Sequence, residues 1–215
     1  MNLQYDKDNK ERLPWEHYLE AFQTGNPVEM SDRVHLPYDE ERREFTFEFL
    51  QSRYTLTFPE AEFIPDDASL YRPLPASIQA KILMLRYLTE CVYKTPGADF
   101  LTYREMPSGE LYFRQFQGRC LTRFAYAYGN KQDVFTTLME QLGAQKLTFA
   151  DVSYEIELLN KLSVRLLLWE GDEEFPPSSQ ILFSDNFKDN FSAEDMAVVG
   201  DIIIGTLKQM EKELK

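Results

Sequence analysis

Residues 152–169 read VSYEIELLNKLSVRLLLW. Val152, Tyr154, Ile156 and Leu158 alternate with Ser153, Glu155 and Glu157, the period of two that buries one face of a strand. Asn160-Lys161 supplies a turn. Leu162 to Trp169 is then apolar, with Arg165 as its one charge, so the second strand lies deeper in the sheet. The stretch is an antiparallel hairpin.

Toward the C-terminus, Trp169 leaves the hairpin for Gly171, and the acids Glu170, Asp172, Glu173 and Glu174 crowd around it. Pro176-Pro177 follows, then a short strand over Gln180–Phe183. Ser192 with Asp195 three residues later has the form of a capping box. Met196, Val199, Ile203, Leu207, Met210 and Leu214 repeat behind it as one face of a final helix.

Toward the N-terminus, Val134, Phe135, Leu138 and Leu142 predict a helix closed by Gly143. Phe113, Phe116, Cys120 and Phe124 predict another, running to Gly129-Asn130, with Gly118 inside it as a mark of close packing or of a break. Phe100 to Glu105 reads as a strand before a turn at Pro107-Ser108-Gly109. Ile78, Ile82, Leu85 and Val92, widened by Leu83, Met84, Leu88 and Cys91, predict a broad central helix that begins at Pro75 and stops near Thr95. Tyr71 to Pro75 is a proline-punctuated link. Phe45, Phe47 and Phe49, then Tyr54, Leu56 and Phe58, alternate on either side of Gln51-Ser52-Arg53 as a second hairpin, with Phe63-Ile64 adding a short strand. Trp15, Leu19 and Phe22 place a helix over Pro14–Thr24, and a polar connection follows through Asp32 and Pro37.

The order is helix, strands, helices, strands, helix. It predicts an α+β fold: a largely antiparallel sheet of two hairpins plus short strands, packed against about five helices. Residues 1–215 are expected to form a single domain, with 1–10 a flexible tail.

Composition narrows the function. Lys plus Arg number 23 against 36 Asp plus Glu, a formal net charge of -13. Phosphate backbones and anionic membrane surfaces are repelled, so nucleic acid and membrane are excluded as partners. A small molecule or a protein is the expected partner, and a homodimer is compatible with the sequence. The N-terminal residues contain no apolar signal core, and no apolar run reaches the ~20 residues of a membrane span, so a cytoplasmic location is expected. Cys91 and Cys120 are too few for a four-cysteine metal or iron–sulfur site. No glycine-rich phosphate loop and no nucleophile elbow is present. His17 and His35 have no spacing that makes a metal pair. No catalytic residue, metal ligand set or cofactor is assigned.

Two groups of residues can carry binding. Trp169, Asp172, Glu173, Glu174 and, beyond the next strand, Asp185 put carboxylates on a loop beside an aromatic, a pattern able to hold a hard cation or share a proton. Tyr103, Arg104, Tyr112 and Arg119, with Arg114 and Arg123, form a basic patch in an acidic chain, able to receive a carboxylate or another anion. Both groups are also explained without a ligand, as a solvated turn and as arginines paired within the molecule.

The string from Trp169 through Gly171, Asp172, Glu173, Glu174, Phe175, Pro176 and Pro177 is distinctive. With Ile181-Leu182-Phe183-Ser184-Asp185, Ser192-Ala193-Glu194-Asp195, Tyr103-Arg104-Glu105, Gly109 and Tyr112, it resembles the uncharacterised domain-of-unknown-function family 3786 of anaerobic bacteria and archaea. The resemblance carries no established activity. It implies an accessory role in anaerobic redox or corrinoid metabolism. Some relatives look fused to a cysteine-rich iron–sulfur segment, whose cysteines this chain lacks. The function expected is a noncatalytic cytoplasmic binding or accessory protein, using a cleft between sheet and arginine-bearing helix with the Trp169 loop at its rim. The alternative is a small carboxylate- or metal-dependent enzyme using that acidic loop.

Overall fold

A computed structural model of the chain describes residues 8–66 and 73–214. It is α+β, and its contacts sort it into two compact units, 1–94 and 95–215. The strands form two antiparallel sheets, one in each unit, where the sequence predicts one sheet holding both hairpins.

In the first unit a π-helical turn at Asp8–Arg12 runs into helix α1 (Leu13–Thr24), so the predicted tail is helical from residue 8. Residues 1–7 of that tail lie outside the described residues. Helix α2 (Pro27–Val34) replaces the polar connection expected there. Asn26 caps it by accepting from the Val28 and Glu29 amides, and Pro27 occupies its first turn. Strands β1 (Tyr38–Asp39), β2 (Glu44–Phe49), β3 (Ser52–Thr57) and β4 (Phe63–Pro65) pair in that order. The turn between β2 and β3 falls at Leu50-Gln51, both with positive φ. Phe22 of α1 meets Phe45 and Phe58 at centroid separations of 6.0 and 5.3 Å.

The proline link is only partly described: residues 67–72 lie outside, and Pro73–Ala76 forms a short helical turn, α3. Helix α4 begins at Ile78 behind its Ser77 cap and ends at Glu90, short of the predicted Thr95. Arg33 closes its C-terminus, donating to the Leu88, Thr89 and Cys91 carbonyls.

The second unit holds the candidate residues. Strand β5 (Phe100–Thr102) is shorter than predicted, because Tyr103–Glu105 turns into a 3-10 helix. Helix α5 (Gly109–Phe116), a π-helical segment (Gln117–Thr122) and α6 (Arg123–Tyr128) follow without a break. Helix α7 (Gln132–Gln141) leads to β6 (Gln145–Leu147), a strand the sequence did not announce. Strands β7 (Val152–Leu159) and β8 (Leu162–Trp169) are the predicted hairpin, turning at Asn160-Lys161, both with positive φ. Strand β9 (Ser178–Ser184) and helix α8 (Ala193–Glu213) complete the unit.

The sheet order is β5-β9-β8-β7-β6. Tyr154, Ile156, Val164, Leu166, Ile181 and Phe183 share its buried face. Each such side chain contributes about 1.5–3 kcal/mol on burial. The helices cover that face: Phe116 lies 6.2 Å from Phe183 and Phe135 meets Tyr154 edge-on at 5.7 Å. On the opposite face Arg165 donates to Glu155 and stacks 3.6 Å above Phe100. No helix among the described residues is long and apolar enough to cross a membrane.

Candidate binding face

The predicted acidic loop is an exposed turn built on fixed anchors. Trp169, the last residue of β8, is half-buried and pairs with Ser178. The Glu170 amide donates to Asp151 and the Gly171 amide to Asn130. Pro177 stands over both Gly171 and Gly129, so close that a Cβ at either glycine would collide with it. These contacts fasten the loop to the C-terminal end of α6.

Within the loop, Asp172 accepts from the amides of Glu174 (2.8 Å) and Phe175 (2.7 Å), and its own amide donates to the Phe175 carbonyl. Those backbone donors, Phe175 first, hold its carboxyl below the ordinary aspartate range. Asp172 thus serves the turn. Glu173 and Glu174 are exposed, and Phe175 projects with 67% of its surface in solvent. Asp185 lies elsewhere. Its carboxylate accepts from the Gly97 amide at 2.8 Å, pinning the segment that enters β5. Among the described residues, no three His, Cys, Asp or Glu side chains come together as a metal site.

Part of the basic patch, Tyr103, Arg119 and Arg123, is drawn against α8. Tyr103 is buried, stacks face to face on Phe116 at 3.9 Å and donates to the Ala193 carbonyl. Burial first, then the nearby Glu194, pushes its hydroxyl up to about 12. Arg119 bonds Asp201, and reaches Glu194 at 2.8 Å. Burial opposes its charge, but those two carboxylates outweigh burial and hold the guanidinium above its ordinary value. Arg123 pairs with the same Asp201 at 2.9 Å. Arg104 lies 3.8 Å over the Phe113 ring and pairs with Glu110 on the surface. Cys120 sits under Gly200 of α8, and burial raises its thiol to about 12, which removes it as a nucleophile.

The cleft predicted between sheet and arginine-bearing helix is closed by packing. Phe116 reaches Phe183, and the Ser179 hydroxyl donates to the Leu121 carbonyl at 2.7 Å. The surface that does stand open is the outer face of the same helix. Leu111 is 78% exposed, Tyr126 68% and Tyr112 45%, with exposed Gln115, Gly118 and Thr122 between them. Tyr103, Arg104 and Tyr112 therefore fall toward the start of one helical segment, Arg119 at its middle and the Trp169 turn at its finish, while Asp185 lies apart from all of them. The sequence reading named Phe175 only as part of the Trp169–Pro177 string and did not name Leu111 or Tyr126. The available signal was large apolar residues at positions that the core-facing repeat leaves outside.

Neither the curated proteins nor the solved structures contain a match to this chain. The family model described as Domain of unknown function (DUF3786) matches residues 26–206, across both units and through both ends of this face. The chain belongs to that family.

Proposed function

We propose that this chain is a noncatalytic binding or accessory protein of the cytoplasm. Its binding surface is the outer face of Gly109–Tyr128 together with the acidic turn at its end. One contrast carries the proposal. Three of the candidate side chains are spent on the fold: Asp172 on its turn, Arg119 on Asp201 and Glu194, Asp185 on Gly97. Meanwhile Leu111, Tyr126 and Phe175 stand in solvent. Exposed aromatics on a rigid support are the usual anchors of a protein interface. A chain of net charge -13 favours a protein partner over nucleic acid.

The enzyme alternative needs the loop carboxylates to converge on a substrate or cation; against it, Asp172 is tied to the Glu174 and Phe175 amides, and Glu173 and Glu174 are exposed. A thermal-shift series tests the two readings. Calcium, magnesium and zinc are expected to leave the melting temperature unchanged, and Glu173→Gln with Glu174→Gln is expected to leave it unchanged too. A stability gain in one metal that the double variant removes would establish the metal-dependent alternative. Cobalamin and haem belong in the same series, because the redox or corrinoid setting implied by the family resemblance makes them the first small ligands to try.

A further inference from the structure

Asp185 closes the string Ile181-Leu182-Phe183-Ser184-Asp185, and the residues beside it are buried and tied. Ser184 is 1% exposed, and its hydroxyl accepts from the Ser163 amide at 3.0 Å and donates to Asn186 at 2.6 Å. Asn186 is buried too and donates to the Lys161 carbonyl at 3.2 Å. The backbone on both sides of Asp185 is thus fixed to β8 and to the turn before it.

From that fixed position Asp185 grips the chain entering β5 at two points. Its amide donates to the Asp99 carbonyl at 3.1 Å, and its carboxylate accepts from the Gly97 amide at 2.8 Å. A Cβ at position 97 would stand 2.4 Å from Oδ2, so a side chain there would push the carboxylate off that amide.

This grip lies just past the boundary between the units at 94 and 95. The chain is also tied just before that boundary. The Arg33 guanidinium receives the Leu88, Thr89 and Cys91 carbonyls. The Tyr93 amide donates to the Arg33 carbonyl at 2.9 Å, and the Tyr93 ring stacks on His35 at 4.6 Å. Each set of ties lies within its own unit. Between them run Lys94, Thr95 and Pro96. Proline has a fixed φ and keeps the residue before it out of the helical region, so this stretch has few soft torsions.

We infer that Asp185 is a positioning residue for the joint between the two units: its grip on Gly97 confines the joint to Lys94–Pro96. A hinge is a few residues that absorb the change in φ and ψ. Glycine is the most permissive of them, and Asp185 takes the one nearby glycine out of the joint. Without the carboxylate the joint runs on through Gly97 and Ala98 to Asp99, whose carbonyl the Asp185 amide still holds. The range through which the units turn against each other then widens.

Pulsed electron paramagnetic resonance on the full chain tests this. Spin labels go on Glu20→Cys and Lys208→Cys, exposed positions with one in each unit, while Cys91 and Cys120 are buried. Reach grows as the square root of joint length, so Asp185→Ala is expected to broaden the distance distribution by roughly 1.3-fold. The Gly97 amide is expected to exchange its hydrogen about tenfold faster or more in that variant. Asp185→Asn keeps an acceptor oxygen and is expected to restore both readouts. Gly97→Ala is expected to broaden the distribution as Asp185→Ala does, and the double variant no further, because both remove one contact. A merely structural role would lower the melting temperature and leave the width alone. That result overturns the assignment, as does a Gly97 amide unprotected in the wild type, an Asp185→Asn chain as broad as Asp185→Ala, or broadening that adds in the double variant.

Discussion

Asp172 shows how a residue with the chemistry for a site is used for a turn. Its carboxylate is fully exposed, and its two backbone donors still depress its pKa, because they bond the charged form. The depressed folded value fixes the sign of the pH effect. The turn gains from Asp172 at neutral pH, keeps that gain above the ordinary aspartate range of about 3.9, and loses it as pH falls through the lower folded value. Carboxyl NMR should therefore find Asp172 titrating below the ordinary range, with the Glu174 and Phe175 amides losing hydrogen-exchange protection in step. A midpoint at or above the ordinary value would show that the two donors do not bond it in solution. At this scale the sequence was half legible. The acids and Trp169 marked the loop, but whether carboxylates converge or diverge depends on backbone direction. That direction is set by distant partners: Asp151, Asn130 and Gly129.

At the scale of the element, the arginine-bearing helix is governed by a repeat. Phe116, Cys120, Phe124 and Tyr128 recur every four residues and all are buried. A helix of 3.6 residues per turn rotates such a row by roughly 40° at each step. The π-helical segment at Gln117–Thr122 takes up an extra residue and brings the row back over the sheet. It also turns Arg119 and Arg123 toward Asp201 of α8. That carboxylate serves both guanidiniums and is mostly shielded from water, with 18% of its side chain exposed. Asp201→Ala leaves two cations facing each other and is expected to cost roughly 2 kcal/mol, read as a lower midpoint in urea. Arg119→Ala leaves Asp201 with Arg123 and is expected to cost about half as much. The reverse order would mean that Glu194, not Asp201, holds Arg119. The four-residue spacing is plain in the sequence and predicted the helix. The pairing with α8 was not legible, because 78 residues separate Arg123 from Asp201 and nothing local links them.

For the whole chain, the two hairpins predicted from alternation are both present, yet each belongs to a different sheet. Alternation tells which face of a strand is buried and is silent on which strands share a ladder. The neighbours decide that: β1 and β4 close around the first hairpin, β6 and β9 around the second, and β6, at three residues, is too short for a periodic signal. The sequence expectation of one domain over 1–215 and the sorting of contacts into 1–94 and 95–215 make different demands on a fragment. The second unit has a five-stranded sheet, one face of which is buried by α5 to α8, and a core that runs from Tyr103 to Met210. At 121 residues, counted from 95 through 215, it is within the range of chains that fold alone. Residues 95–215 expressed by themselves are therefore expected to melt in one cooperative transition, and to keep the near-ultraviolet signal of Tyr103, Tyr128 and Trp169. If the fragment instead binds a hydrophobic dye and melts without cooperativity, the second sheet needs residues 1–94 to hold its fold, and the chain folds as the single domain its sequence suggests.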